Sequence, residues 1–428
     1  ESGRILFSPK IRPPILGEKR ILPDSTSADN IHGKSISPAH VQETYGNPLY
    51  TGRHLLIIRE GNRDIAKTTK LLEKKWGFVV ANTADFVNET IHESKIKDAD
   101  VLFYNELGIA LLSADDDMVK LLHDTADYII EPEKVVYIPD EISAGTATDN
   151  VWGIEAIKAH ESVYTGAGIR IAVLDTGFDM DHPDFKERNL TAFSFVPDET
   201  AEDKHGHGTH CIGIACGRTN TKGMRYGVAT EADIYAGKVL SNQGSGAQSW
   251  VLDGMTWAAN HGCHVLSMSL GSKVFPGQSY DIAYERAAQF ALSKGTLIVA
   301  AAGNESKRSE NRFSPVGSPA DCPSILAVGA IDSSRQIADF SNRAINKDGQ
   351  VDIVAPGVSV HSSWPMPGRY RILSGTSMAT PHVAGIMALL FEKYPDATPE
   401  IIRERLTAIA ERLEIPVEDA GAGLVIAP

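Results

Sequence analysis

Four short runs of continuous apolar residues constrain this chain more than anything else in it. They are "IRIAVLD" (169–175), "HVLSMSLG" (264–271), "TLIVAAAGNE" (296–305) and "SILAVGAID" (324–332). Helical stretches such as "SWVLDGMTWAANHG" and "SYDIAYERAAQFALSKG" separate them. Continuous apolar strands that alternate with helices need cover on both faces, which predicts an α/β fold with a mostly parallel central sheet. Ligands of such sheets bind beyond the carboxyl ends of the strands. The residues that end the runs are therefore candidates: Asp175, the Ser269–Leu270–Gly271 turn, and Asn304. Each also has a plain reading, since Asp and Asn commonly stop strands.

Ahead of this region the texture differs. Residues 1–50 carry "PKIRPP" and "SISPAH" with no sustained apolar period, and read as an irregular arm. Residues 51–139 read as a small α+β domain. "HLLIIRE" (54–60), "FVVAN", "VLFYNE", "IALLSA" and "YIIEPEKVVYI" are strands; "RDIAKTTKLLEKKWG" (63–77) and "DDDMVKLLHDTA" (115–126) are helices, the second with acids in its first turn. That order is a ferredoxin-like split β-α-β-β-α-β unit, which by itself names no function. Residues 140–150, "DEISAGTATDN", have a linker's composition, and the larger domain is expected over 151–428.

The chemistry gathers in a few glycine-flanked stretches. "DKHGHGTHCIGIACG" (203–217) holds His205, His207 and His210, a density that invites a zinc reading, but the acidic or cysteine partners of a zinc motif are absent at the usual spacing. A helix is expected to start just after His207. "GTSMATPHVAG" (375–385) puts Ser377 at the mouth of a long apolar helix. Alone, that serine is a helix cap or a nucleophile. Serine catalysis needs a hydroxyl, a base, a carboxylate that orients the base, and donors for an oxyanion. Ser377, His207, Asp175 and the Asn304 amide supply one of each, and the helix start aims its N–H groups at negative charge. Pro381 is expected in the first turn, where a missing N–H costs little.

The segments "VLDTG", "HGHGTH", "AAAGNE" and "GTSMATPHVAG" closely resemble the motifs of the subtilisin-like serine proteases, in the family's order. The resemblance implies an endopeptidase of three-layer α/β fold, with Asp175, His207 and Ser377 catalytic and Asn304 at the oxyanion. It also implies substrate pairing along Gly244, Ser245, Gly246 and Ser269, Leu270, Gly271, and a first specificity pocket lined by Ala301, Gly303 and Gly317. Small residues there leave room for a large apolar side chain, and Glu305 beside it for a basic one. The α+β domain resembles the family's propeptide, an intramolecular inhibitor removed by self-cleavage in the linker. The family's common calcium site implies a structural calcium at Asp184, with Thr221 standing where an asparagine ligand is expected. Cys211 falls just behind His207, as in relatives of proteinase K, or simply as a buried small hydrophobe. A peptide ligase of the same fold and an inactive scaffold remain as alternative readings.

A net charge of −14 argues against nucleic acid as a partner, and no apolar run reaches membrane-spanning length. Cys211, Cys216, Cys263 and Cys322 form no CxxC pair and are too few for a disulfide framework. No signal peptide is visible and the sequence begins at Glu1; a secreted protein is the expectation.

Overall fold

The computed structural model of the chain describes residues 49–59, 64–83, 99–113, 127–139 and 151–428, with Val119, Leu122 and the backbone of Ile142–Ser143. The arm expected over 1–50 and the linker over 140–150 thus lie almost wholly outside the described residues, as does most of the helix expected over 115–126.

The N-terminal segment contains β1 (Tyr50–Ile58), α1 (Ile65–Trp76), β2 (Val80–Asn82), β3 (Val101–Tyr104), β4 (Ile109–Leu112) and β5 (Tyr128–Tyr137). The strands lie in the order β5-β1-β4-β3-β2, with β2 an extra edge strand parallel to β3. α1 is bounded as its sequence suggests: Asp64 accepts from Lys67 N at its start, and Gly77 takes the left-handed conformation at its end. β1 is apolar throughout its second half because both of its faces are covered. Leu56 and Ile58 join Leu72, Phe103 and Leu112 in the segment's own core, while Leu55 and Ile57 join the core of the larger domain. Alternate residues of one strand therefore belong to two cores.

After β6 (Ile142–Ser143) and α2 (Trp152–Ala156), the larger domain is built on seven parallel strands. These are β7 (Arg170–Asp175), β8 (Leu190–Ser194), β9 (Asp233–Lys238), β11 (Val265–Met268), β12 (Leu297–Ala301), β13 (Leu326–Ile331) and β14 (Ile353–Pro356), in the order β14-β13-β12-β11-β7-β9-β8. Val265 is level with both Ile171 and Leu297, so Asp175, Ser269 and Asn304 emerge at one edge of the sheet. Helices α3 (His207–Cys216) and α6 (Thr376–Lys393) pack on each other and on the sheet, as do α4 (Gln248–Asn260) and α5 (Ile282–Ser293), giving three layers. α6 is apolar nearly all round, and its first sixteen residues, Thr376 to Phe391, are buried. A hairpin, β15 (Val360–Trp364) and β16 (Arg369–Ser374), leads straight into it, and α7 (Pro399–Ile409) and α8 (Val417–Ala420) close the chain.

The short strand β10 (Ser245–Ala247) does not join the large sheet. It pairs antiparallel with β5 and so continues the N-terminal sheet into the larger domain.

Candidate active site

β7 delivers Asp175 to the carboxyl edge, buried to 1% exposure. Its Oδ1 lies 2.7 Å from His207 Nδ1 and accepts from Thr176 N at 2.7 Å. The imidazole is therefore held by the nitrogen facing Asp175. His207 opens α3 rather than preceding it. The residue before it, Gly206, has φ +109°, and a Cβ there would strike the Trp364 ring at 2.3 Å. Having no side chain, Gly206 cannot cap the helix. Asp203 does so from three residues upstream: its carboxylate accepts from His205 N, Gly206 N, Thr209 N, Thr209 Oγ1 and Thr176 Oγ1. One carboxylate thus ties the turn after Asp175 to the start of the histidine helix. Sequence reasoning passed over it, although an acid just before a glycine-led helix is a capping signal.

The three histidines of "HGHGTH" do not converge. His210 Nε2 bonds Arg371 O at 3.0 Å, and burial lowers its pKa to about 3. Among the described residues the one grouping with metal-ligand spacing is Asp175, His207 and Cys211, the hydrogen-bonded pair and the thiol behind it.

Ser377 stands at the second position of α6, buried, with its Oγ 3.4 Å from Ser269 O. The helix begins at Thr376, so Pro381 is its sixth residue and not part of the first turn as the sequence suggested. The missing N–H is the one that would have bonded Ser377 O. Ser269 Oγ replaces it at 2.7 Å and Cys211 Sγ approaches at 3.6 Å. Cys211 also lies 3.9 Å from both ring nitrogens of His207. Burial raises that thiol to about 11, so it stays protonated, a packing group and weak donor.

Asn304 follows β12 by three residues. Its Oδ1 accepts from Thr376 N at 2.9 Å and Thr376 Oγ1 at 2.8 Å. Because a backbone N–H can only donate, these bonds fix the amide's orientation and turn Nδ2 toward Gly375, two residues before Ser377. Gly303 beside it has φ +105°, and a Cβ would meet Asn342 Nδ2 at 2.3 Å. Asn342 accepts from Glu305 N and Ser306 N and bonds the Glu305 carboxylate, bracing the strand-end loop. Gly317, bonded to Ala302 O at 2.9 Å, lies alongside Ala301 and Gly303. Among the described residues all four cysteines are free and buried.

Two strand edges flank the site and both are in use. Ser245 pairs with Tyr137 and Gly246 with Val136; Tyr137 and Gly271 exchange both main-chain bonds, and Ile138 N reaches Gly244 O. At the end of β16, just before the helix that holds Ser377, Ile142–Ser143 pairs with Leu373–Ser374.

The calcium expected at Asp184 does not fit the residues around it. Oδ1 bonds Arg369 Nη2 at 2.8 Å, and Oδ2 accepts from the Tyr370 and Tyr226 hydroxyls at 2.8 and 3.0 Å. Calcium needs six to eight oxygen ligands with lone pairs to give, and here a guanidinium and two hydroxyl protons already take three of the roughly four that Asp184 has.

Comparison with known proteins agrees with this geometry. Residues 166–424 match the profile of the Subtilase family. The chain is 41% identical to subtilisin E of Bacillus subtilis (strain 168) over 285 residues, covering 65% of this chain and 71% of that protein. It is 36% identical to M-protease of Shouchella clausii (strain KSM-K16) over 379 residues, covering 84% and 92%. The solved structure of sphericase superposes with a TM-score of 0.57 at 33% identity, over 65% of this chain and 98% of that one.

Proposed function

The chain belongs to the subtilase family and is a serine endopeptidase, and we infer from this premise that Asp175, His207 and Ser377 do its chemistry under the control of the chain's own N-terminal segment. Ser377 Oγ attacks the peptide carbonyl while His207 Nε2 takes its proton. The resulting imidazolium faces Asp175 Oδ1 at 2.7 Å. The carbonyl oxygen, now anionic, is met by Asn304 Nδ2 and by Ser377 N at the positive end of α6. Return of the proton to the amine leaves an acyl-enzyme, which water opens by the reverse steps. The Asp175–His207 bond carries this reading. In the test, Ser377→Ala abolishes labelling by a fluorophosphonate and lowers turnover by several orders of magnitude. Labelling that survives on another serine refutes it.

The N-terminal segment reads as the inhibitor. Its alignment with M-protease is too long to fit within 151–428, so it reaches into this segment. Glu133, fully buried, accepts from Ser249 N at 3.0 Å and so caps α4, which has no cap of its own; Arg53 and Thr51 neutralise and bond it. Lys134 bonds Asp281, the N-cap of α5, at 3.0 Å. β5 then enters the cleft between Gly244–Gly246 and Gly271, a β-augmentation geometry that reads main chain more than sequence. Self-cleavage falls between the two anchored stretches, Tyr137–Ile138 and Ile142–Ser143. The first residue past the inbound anchor is the buried Pro139. A proline offers no N–H to the cleft, so this linker is a slow substrate. Incubated wild type should acquire a new N-terminus in that interval, faster with Pro139→Ala, while Ser377→Ala stays whole. A fully active protein that remains uncut makes the segment a permanent accessory domain.

A further inference from the structure

We propose that the β15–β16 hairpin replaces the structural calcium that the family resemblance implies: Arg369, with Tyr370 and Tyr226, is the built-in cation and donor set for Asp184. The proposal rests on what surrounds that carboxylate. Its side chain is 4% exposed, and its three donors come from two separate segments. Tyr226 belongs to the loop after α3, which also contains Thr221, the second residue of the expected metal site. Thr221 N donates to the Tyr370 hydroxyl at 3.1 Å. The two halves of the expected calcium site, Asp184 and the Thr221 loop, are therefore bridged by one tyrosine oxygen. Burial, with Asp184 next in effect, pushes both tyrosine hydroxyls up, so they remain donors toward the carboxylate.

The backbone gives independent support. Arg369 has φ +61°, in the left-handed region that non-glycine residues avoid. Glycine would sit there without strain, and Gly368 precedes it. The chain nevertheless keeps an arginine at that position, and its carbonyl holds His182 Nε2 at 2.9 Å. The bridge has a mechanical consequence, because β16 runs directly into Gly375 and Ser377. The same hairpin also holds α3, through Ser362 Oγ to His210 O, Ser363 Oγ to Thr209 O and Arg371 O to His210 Nε2. A cross-link made of side chains thus braces both the nucleophile's strand and the histidine's helix.

The experiment uses the full chain carrying Ser377→Ala, so that self-digestion does not enter, and records the thermal midpoint in excess CaCl2 and in excess EGTA. Arg369→Gly is the informative variant, since it removes the cation while relaxing the backbone. It should lower the midpoint in EGTA by roughly 3–8 °C, because it strands a buried carboxylate. The difference between calcium and chelator should be the same with and without Asp184→Asn, so that any calcium held elsewhere cancels. A midpoint unchanged or raised by Arg369→Gly overturns the proposal. So does a calcium increment that Asp184→Asn abolishes, which would make Asp184 a ligand. Should Asp184→Asn fail to fold, the Arg369→Gly midpoint decides alone.

Discussion

At the scale of single residues, the site is a set of orientations fixed by hydrogen-bonding neighbours. Thr376 determines which end of the Asn304 amide faces the reaction, through two bonds to Oδ1. Asn304→Leu keeps the volume and removes the donor, so turnover should fall by roughly 10²–10³ with the Michaelis constant little changed. An effect confined to the Michaelis constant would make Asn304 a pocket wall. Cys211 gives a second outcome. Its thiol touches the imidazole and the nucleophile's carbonyl, so a mercurial seated there displaces His207. Cys211→Ala should stay active and become resistant, and equal inhibition of both proteins would place the sensitive thiol elsewhere. The pairing of Asp175 with His207 was legible in the sequence because the chemistry proposed for them restricts such residues to few types in a fixed order. Asp203 and Ser269 Oγ were not. Their roles answer needs that arise only after folding, an uncapped glycine start and the carbonyl stranded by Pro381.

Among elements, the large sheet could be read from sequence because parallel strands covered on both faces must be continuously apolar. The run just before residue 375, β16, also reads as strand-like, but its partner β15, "VHSSW" (360–364), could not be read, since Ser362 and Ser363 spend their side chains on helix carbonyls. The extra strand β2 was read as a strand, but its parallel place at the edge has no local signal. Where β5 meets α5, charge becomes the governing term. Burial first, then Asp281, raises Glu131 to about 7 against the pull of Lys134. Burial raises Asp321 to about 7 likewise, with Lys134 opposing and Asp281 adding. A carboxyl raised on docking holds its proton more tightly when docked. Its contribution is whole below the ordinary carboxylate range and is lost as pH rises through about 7. The excised N-terminal segment should therefore inhibit progressively less between about pH 5 and 8, and Glu131→Gln should flatten the profile. Inhibition that tightens with rising pH would contradict this.

For the whole molecule, the position of α6 decides how the enzyme fails. Ser377 is the second residue of a helix whose next fourteen residues are all buried, against α3 on one side and five strands of the sheet on another. Ile386→Ala, at a fully buried position, should cost about 2–5 kcal/mol and speed thermal inactivation, while the surviving fraction keeps its turnover number. A lowered turnover number in the intact fraction would mean that the helix transmits local damage to the serine. The helix cannot fray toward the serine, because no part of it there is free to leave. Loss of proteolytic activity on heating should then follow the same time course as loss of near-ultraviolet dichroism. Such an enzyme has no weakened intermediate form, and each molecule cuts at full rate until it cuts no more.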